Sequence, residues 1–166
     1  VLSLSLTQAF VRPLYHWRTS RPHEYTHSML NSPGDDNALF TAGPEHGAPP
    51  QNIRLAPDDF LLDHLGGGFD LLYFTEADAV PAGLLEVVAQ ARAKGVPMRV
   101  IAVGSCPSVA GADVTLADAQ GHFRRRYGVQ ASGAGYLLRP DQHVCARWLT
   151  LDATRLQAAL AAALPQ

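Results

Sequence analysis

Two near-continuous apolar runs, Phe69–Thr75 and Met98–Val103, flank a segment of helical spacing, and this triplet constrains the fold more than any other feature of the chain. Six or seven residues of this kind need burial on both faces of a sheet, which requires a covering layer on either side. Between the runs, Leu84, Leu85, Val87, Val88 and Ala91 recur at helical intervals. Pro81 suits the first turn of that helix, Arg92 and Lys94 its last turn, and Gly95 its stop. A strand–helix–strand unit of this kind joins parallel neighbours through a right-handed crossover.

The remaining segments extend the pattern. Ala119–Tyr127 predicts a short helix stopping at Gly128. Tyr136–Arg139 and Val144–Trp148 are short strands split by Pro140-Asp141-Gln142, the mark of an antiparallel hairpin. Leu156, Leu160, Ala163 and Leu164 line one face of a closing helix, with Thr150 or Asp152 as its N-cap. Strand–helix–strand, short helix, hairpin, helix is the order of a thioredoxin-like α/β fold, expected over residues 50–166. Residues 1–49 are different. They hold five of the twelve prolines and four of the seven histidines without sustained periodicity, and predict an irregular N-terminal extension. Within it, Leu2, Leu4 and Leu6 alternate with serines, and Phe10, Val11, Leu14, Tyr15 and Trp17 crowd together around Pro13. Asn31–Pro50, with Ser-Pro-Gly-Asp-Asp-Asn and Gly-Pro, reads as a loop or linker.

Composition closes several function classes. A chain of 166 residues with 47% apolar and 17% charged residues buries a sizeable core, which excludes wholesale disorder. Thirteen basic against fifteen acidic residues leave a formal charge of −2, no footprint for gripping a nucleic-acid backbone. No apolar run approaches the roughly 18 residues of a membrane span. The opening Val-Leu-Ser-Leu-Ser-Leu-Thr lacks the basic start of a signal peptide. Two cysteines, Cys106 and Cys145, fit a reducing cytosol. Val1 opens the chain without a methionine, so a piece of a longer protein is expected.

Several motifs compete for the chemistry. His23-Glu24-Tyr25-Thr26-His27 spells H-E-x-x-H, which on a helix holds zinc between two imidazoles with the glutamate as general base. Pro22 places it in a first turn, Asn31-Ser-Pro-Gly34 ends any helix soon after, Leu30 stands where the metzincin pattern needs glycine, and a third ligand would have to be Glu45 or His46. A zinc hydrolase through His23, Glu24 and His27 is therefore the weaker alternative. In a thioredoxin-like fold the working cysteine follows the first core strand, at the start of the next helix. That place reads Thr75-Glu-Ala-Asp-Ala-Val-Pro81 and contains none. Cys145, inside the hairpin, reads as structural and buried. Cys106, in the loop after the second strand, is the candidate nucleophile of a stand-alone thiol enzyme. Gly66-Gly-Gly68 and Ser132-Gly-Ala-Gly135 precede strands and so cannot cradle a dinucleotide phosphate. Arg124-Arg-Arg126 reads as a solvated helix face, Glu76 and Asp78 as loop carboxylates facing water, Trp17 and Trp148 as packing anchors.

One set of motifs points further. Asp118-Ala-Gln-Gly121, Tyr127-Gly128 and Tyr136-Leu-Leu-Arg139-Pro140-Asp141-Gln-His-Val-Cys-Ala-Arg147-Trp148 resemble the end of class A flavoprotein monooxygenases, the FAD- and NAD(P)H-dependent aromatic hydroxylases of the phenol and hydroxyphenylpropionate type. Their C-terminal thioredoxin-like domain carries a similar Arg-Pro-Asp-Gly strand turn and Arg-Trp strand. Tyr25-Thr-His-Ser28-Met-Leu30-Asn31 is similar to the stretch that closes their catalytic region, and Gly43-Pro44 through Pro49 and Leu55 to the lead-in that follows. The resemblance runs from about residue 25 to the end. It implies that residues 1–49 are the tail of a catalytic region plus linker, and residues 50–166 an accessory domain without redox cysteines. It also gives Asp118, Gly121, Tyr127, Tyr136, Arg139, Pro140, Asp141, Arg147 and Trp148 structural roles.

The departures are informative. Met29 replaces a family proline. Ala134-Gly135 stands where active thioredoxins carry a cis-proline. Gln142 replaces the turn glycine, which predicts a turn that does not need positive φ there. No G-x-G-x-x-G follows a strand and no Asp-Gly occurs, so this chain is expected to bind neither FAD nor NAD(P)H, both belonging to the parent protein. The implied partners are the flavin-binding domain of the same polypeptide and a second copy in a homo-oligomer, with Phe10–Trp17 left exposed in isolation.

Overall fold

The computed structural model describes residues 34–164. Leu2–Leu6, the Phe10–Trp17 cluster, the H-E-x-x-H stretch and Tyr25–Asn31 lie outside the described residues. After a 3₁₀ turn at Asn37–Leu39, a short hairpin of β1 (Arg54–Ala56) and β2 (Asp59–Phe60) leads into α1 (Leu61–His64). There follow β3 (Phe69–Phe74), α2 (Ala82–Ala93), β4 (Met98–Gly104), β5 (Val114–Ala117), α3 (His122–Arg126), β6 (Ala134–Leu138), β7 (Val144–Trp148) and α4 (Ala153–Ala163). The main sheet has the order β5-β4-β3-β6-β7. β3, β4 and β5 run parallel, and β6 and β7 return antiparallel.

Every residue of β3, β6 and β7 is buried, as their near-continuous apolar runs demand, and Asp70 and Arg147 are buried with them. Alternate side chains serve opposite faces. Phe69, Leu71 and Tyr73 join Leu84, Val87 and Val88 of α2, Leu156 and Leu160 of α4, and Trp148. Leu72 and Phe74 join Leu61, Ile101, Phe123, Tyr127 and Tyr136 on the other side. α4 starts where Asp152 accepts the Arg155 N–H at 2.8 Å, a cap that contributes about 1 kcal/mol. Its buried leucines contribute roughly 1.5–3 kcal/mol each, so packing decides that helix. Gly95 takes φ +85° just beyond α2, as its place at the stop requires.

Three local expectations are corrected. β5 arises where the sequence reads as loop, because Ile101–Gly104 of β4 offers a free edge to the short Val114–Ala117 run. The helix expected over Ala119–Tyr127 begins only at His122: Asp118 accepts the Phe123 and Arg124 N–H groups at 2.9 Å each, and Gly121 takes φ +66°. Gln142 sits at φ +60°, the one non-glycine at positive φ among the described residues. The reason is the three-residue connection: Gln142 N–H closes on Arg139 O at 2.8 Å and Arg139 N–H on His143 O at 2.9 Å. The residue after such a turn must adopt the left-handed conformation to bring the chain back into register. Asp141 holds it there by accepting from Arg139 at 2.8 and 3.1 Å and from His143 N–H at 3.2 Å.

An L-residue in this region costs roughly 1–2 kcal/mol, and glycine returns part of that through the unfolded chain. Gln142→Gly is expected to raise stability by about 0.5–1 kcal/mol, read as a higher denaturant midpoint at constant slope. A lower midpoint would mean that the glutamine side chain contributes more than its backbone costs.

Candidate functional site

Open α/β sheets bring chemistry to the carboxyl ends of their parallel strands. Here those ends are Thr75–Val80 after β3 and Gly104–Val109 after β4. A Cβ on Gly104 would run into the Thr75 carbonyl oxygen, so only glycine lets the two ends close together. Glu76 ties the region down. Its carboxylate accepts from Ser105 Oγ and from Arg124 Nη2 (2.5 Å), and its N–H donates to Ser132 Oγ at 3.1 Å. The Ser105 hydroxyl and the Arg124 guanidinium hold the Glu76 carboxyl below the ordinary glutamate range. An acid held ionised in this way cannot donate a proton at neutral pH, so Glu76 is no general acid. Cys106, half-buried, points its Sγ at the Glu76 carbonyl oxygen, 3.4 Å away.

The residues carrying the family resemblance gather mostly elsewhere. Arg147 is 2% exposed, and its guanidinium has no carboxylate within salt-bridge distance among the described residues. It donates instead to Asn37 Oδ1 (2.7 Å), Asn37 O (3.2 Å), Ala42 O (3.1 Å), Gly43 O (3.3 Å) and the Tyr136 hydroxyl (3.4 Å). It also lies 4.5 Å above the Phe40 ring. Tyr136 in turn donates to Tyr127 O at 2.6 Å, and Tyr127 to Gln51 O at 2.7 Å. Burial pushes the Tyr136 phenol up to about 12 and raises Tyr127 as well. Both phenols therefore stay neutral and keep their protons to donate. Gly43, at φ +87°, sits so close that a Cβ would lie 2.6 Å from Tyr127 O.

Residues 34–49, read from sequence as loop or linker, are thus fastened to the hairpin. Asp35 and Asp36 complete the attachment: Asp35 accepts the Arg147 N–H at 3.1 Å, and Asp36 accepts the Leu149 N–H at 3.0 Å. Arg155 grips Asp36 at 2.5 and 2.9 Å. Sequence reasoning missed Asp35, Asp36, Asn37 and Arg155. The one available signal was Asp-Asp-Asn in a chain with an arginine inside an apolar strand. Of the other motif residues, Asp118 and Gly121 build the start of α3, Arg139 and Asp141 the hairpin turn, and Trp148 packs on the opposite face.

A groove of about 390 Å³ lies between β1 and the start of α3, lined by Arg54, Leu55, Ala117, Asp118, Gln120 and His122. Its one buried carboxylate, Asp118, is already committed to capping α3. No group of three or more His, Cys, Asp or Glu side chains is placed to hold a metal ion among the described residues. No described helix is long and apolar enough to cross a membrane.

No protein-family model matches the chain, and no curated protein does. Solved structures do. The flavin-dependent monooxygenase PieE, in complex with FAD and substrate, aligns with TM-score 0.58 and 21% identity over 85% of this chain and 24% of its own. RebC-10x, native and bound to K252c, aligns with TM-score 0.55 and 21% identity over 93% of this chain and 26% of its own. Aklavinone-11 hydroxylase, in a ternary complex with FAD and aklavinone, aligns with TM-score 0.50 and 26% identity over 72% and 21%. The shared property is the fold. This chain spans about a quarter of the length of the solved chains it matches.

Two measurements check this geometry. Cys145 is fully buried, and burial pushes its thiol up to about 12. An aromatic disulfide reagent is expected to label Cys106 alone in the native protein and Cys145 only on unfolding, and Cys106→Ser should abolish native labelling. Separately, the Arg155 hydrogen bonds hold Asp36 below its ordinary range. A lowered folded value means that the stabilisation is complete above about pH 4 and lost as pH falls through the lowered value. The stability gap between wild type and Asp36→Asn should be present at pH 7 and close toward pH 2.

Proposed function

We propose that this chain is a non-catalytic, thioredoxin-like accessory domain of an FAD-dependent, NAD(P)H-using aromatic monooxygenase of the cytoplasm. The supporting observation is the coverage: 85–93% of this chain aligns with only about a quarter of PieE and RebC-10x. The motif resemblance around Arg139–Asp141 and Arg147-Trp148 agrees with it. In this reading the domain docks on the flavin-binding part of its own polypeptide or supports a homo-oligomer.

FAD itself does not fit this chain. The turn from β3 to α2 is where an α/β fold would receive a pyrophosphate, through glycines and free helix N–H groups. Here it holds the Glu76 and Asp78 carboxylates, contains no glycine, and has Pro81, without an N–H, at the N-cap. Two anions facing a pyrophosphate repel it. The flavin and the chemistry belong to the preceding part of the parent, and the ionised Glu76, pinned by Arg124, makes the former redox position a rigid corner. The alternative, a thiol enzyme working through Cys106, has in its favour the position of that side chain at the same strand ends.

The test is to sequence the DNA upstream of the Val1 codon in the same frame and to express the whole reading frame. The expected product contains a strand–G-x-G-x-x-G–helix segment, purifies with stoichiometric FAD, and oxidises NAD(P)H in the presence of an aromatic substrate. Cys106→Ser should leave that turnover unchanged. A start codon at or beside Val1, or peroxide- or disulfide-dependent turnover lost in Cys106→Ser, would overturn the accessory-domain reading.

A further inference from the structure

We infer that the groove between β1 and the start of α3 is a binding site for an amphipathic carboxylate, a planar apolar body carrying one anionic head. The inference stands apart from the function proposed above, because it concerns this chain alone. At about 390 Å³ the groove falls within the roughly 300–1,000 Å³ of small-molecule sites. Ile53 and Leu55 on the β1 side and Phe123 on the α3 side give it apolar walls. All three are anchored in the apolar layer that covers this face of the sheet, so the walls are formed before any ligand arrives.

The polar groups at its rim are cations without an anion. Arg54 lines the groove and donates only to carbonyls of its own hairpin turn, Ala56 O at 3.3 Å and Pro57 O at 3.4 Å. On the α3 side Arg125 folds back over Gly121 and donates to Gln120 O at 2.8 Å, which brings its guanidinium to the rim. Neither arginine has a carboxylate within salt-bridge distance among the described residues, whereas Arg124, next to Arg125, is spent on Glu76. The neighbouring acids are engaged elsewhere. Asp118 accepts the Phe123 and Arg124 N–H groups at 2.9 Å each, Asp59 pairs with His64 at 2.6 Å, and Asp63 accepts the Phe60 N–H at 3.1 Å. Guanidinium forks match the paired oxygens of a carboxylate, so an anionic head seated here gains partners that the chain itself leaves open. A bare inorganic anion would leave the apolar walls wet, and an uncharged ring would leave both cations unpaired. One molecule with both ends answers the whole groove.

The test titrates the full 166-residue chain with cinnamate, followed by amide NMR shifts and by calorimetry. Saturable shifts are expected at Leu55, Ala117, Gln120 and His122, which line the groove. Cinnamyl alcohol has the same body without the charge, and acetate has the charge without the body; each should bind about tenfold more weakly or worse. Added salt should weaken cinnamate and leave the alcohol unchanged. Arg54 and Arg125 are exposed, so Arg54→Gln with Arg125→Gln should keep the thermal midpoint while cinnamate affinity falls by about tenfold. No saturable shift, or shifts centred away from the groove, would overturn the inference. So would cinnamyl alcohol binding as tightly as cinnamate, which would show an apolar cleft, or inorganic phosphate doing so, which would show a bare patch of cations. Cinnamate affinity unchanged in the double variant would overturn the assignment of Arg54 and Arg125 as its seat. If the double variant fails to fold, Arg54→Gln alone carries the same comparison.

Discussion

A guanidinium buried to 2% exposure without a carboxylate is the constraint on which the arrangement around it depends. Taking such a charge out of water costs several kcal/mol unless dipoles replace the lost solvent. Arg147 finds them in three carbonyls and an amide oxygen of residues 37–43, a phenol, and the face of Phe40. None of these acceptors from residues 37–43 belongs to a regular strand of the sheet. The segment must therefore fold onto the hairpin for β7 to hold an arginine at all, and the hairpin must be formed for the segment to have a seat. Local disorder in either would leave a cation or a row of carbonyls buried without partners, which the fold avoids by forming both together.

The same dependence explains the tyrosines. Tyr136 sits on β6 opposite Arg147, and its hydroxyl both receives from the guanidinium and donates to Tyr127 O at the end of α3. Tyr127 then reaches Gln51, just beyond the docked segment of residues 34–49. The rings pack edge to face, with Tyr127 and Tyr136 centroids 5.0 Å apart. One polar chain thus crosses an otherwise apolar layer and ties α3, the hairpin and the N-terminal segment to a single geometry. The Tyr136 hydroxyl is the link that joins the Arg147 guanidinium to the Tyr127 carbonyl.

How much of this was legible in the sequence follows from where each element draws its stability. β3, α2 and β4 were legible because their burial is written in consecutive residues, and the hairpin because Pro140-Asp141 breaks two apolar runs. β5 was not: Val114–Ala117 is too short to stand above loop composition and forms by pairing with β4. The start of α3 was misplaced because Asp118, four residues before His122, does the capping from outside the helix. Gln142 was read by residue type, and the three-residue geometry overruled it. The docking of residues 34–49 was illegible for a deeper reason. Its stability lies in contacts more than a hundred residues away, such as Asp36 with Arg155, and a run of Gly, Asp and Asn looks the same whether solvated or docked.

Similar reasoning separates the shape of the strand ends from their chemistry. The corner where β3 meets α2 keeps the close approach that Gly104 permits, but its side chains satisfy one another: Glu76 with Ser105 and Arg124, Ser132 with the Glu76 N–H, Thr75 with the Ala77 N–H. A reactive centre needs at least one group left unsatisfied and aimed at a substrate. At this corner Ser132 and Thr75 are spent on local backbone N–H groups, and the Glu76–Arg124 ion pair joins α3 to the sheet. The corner and the Arg147 cluster consequently do similar jobs on opposite sides of β6: Glu76 joins α3 to the strand ends through an ion pair with Arg124 and a bond from the Ser105 hydroxyl, and Arg147 fixes residues 37–43 through dipoles of the chain itself.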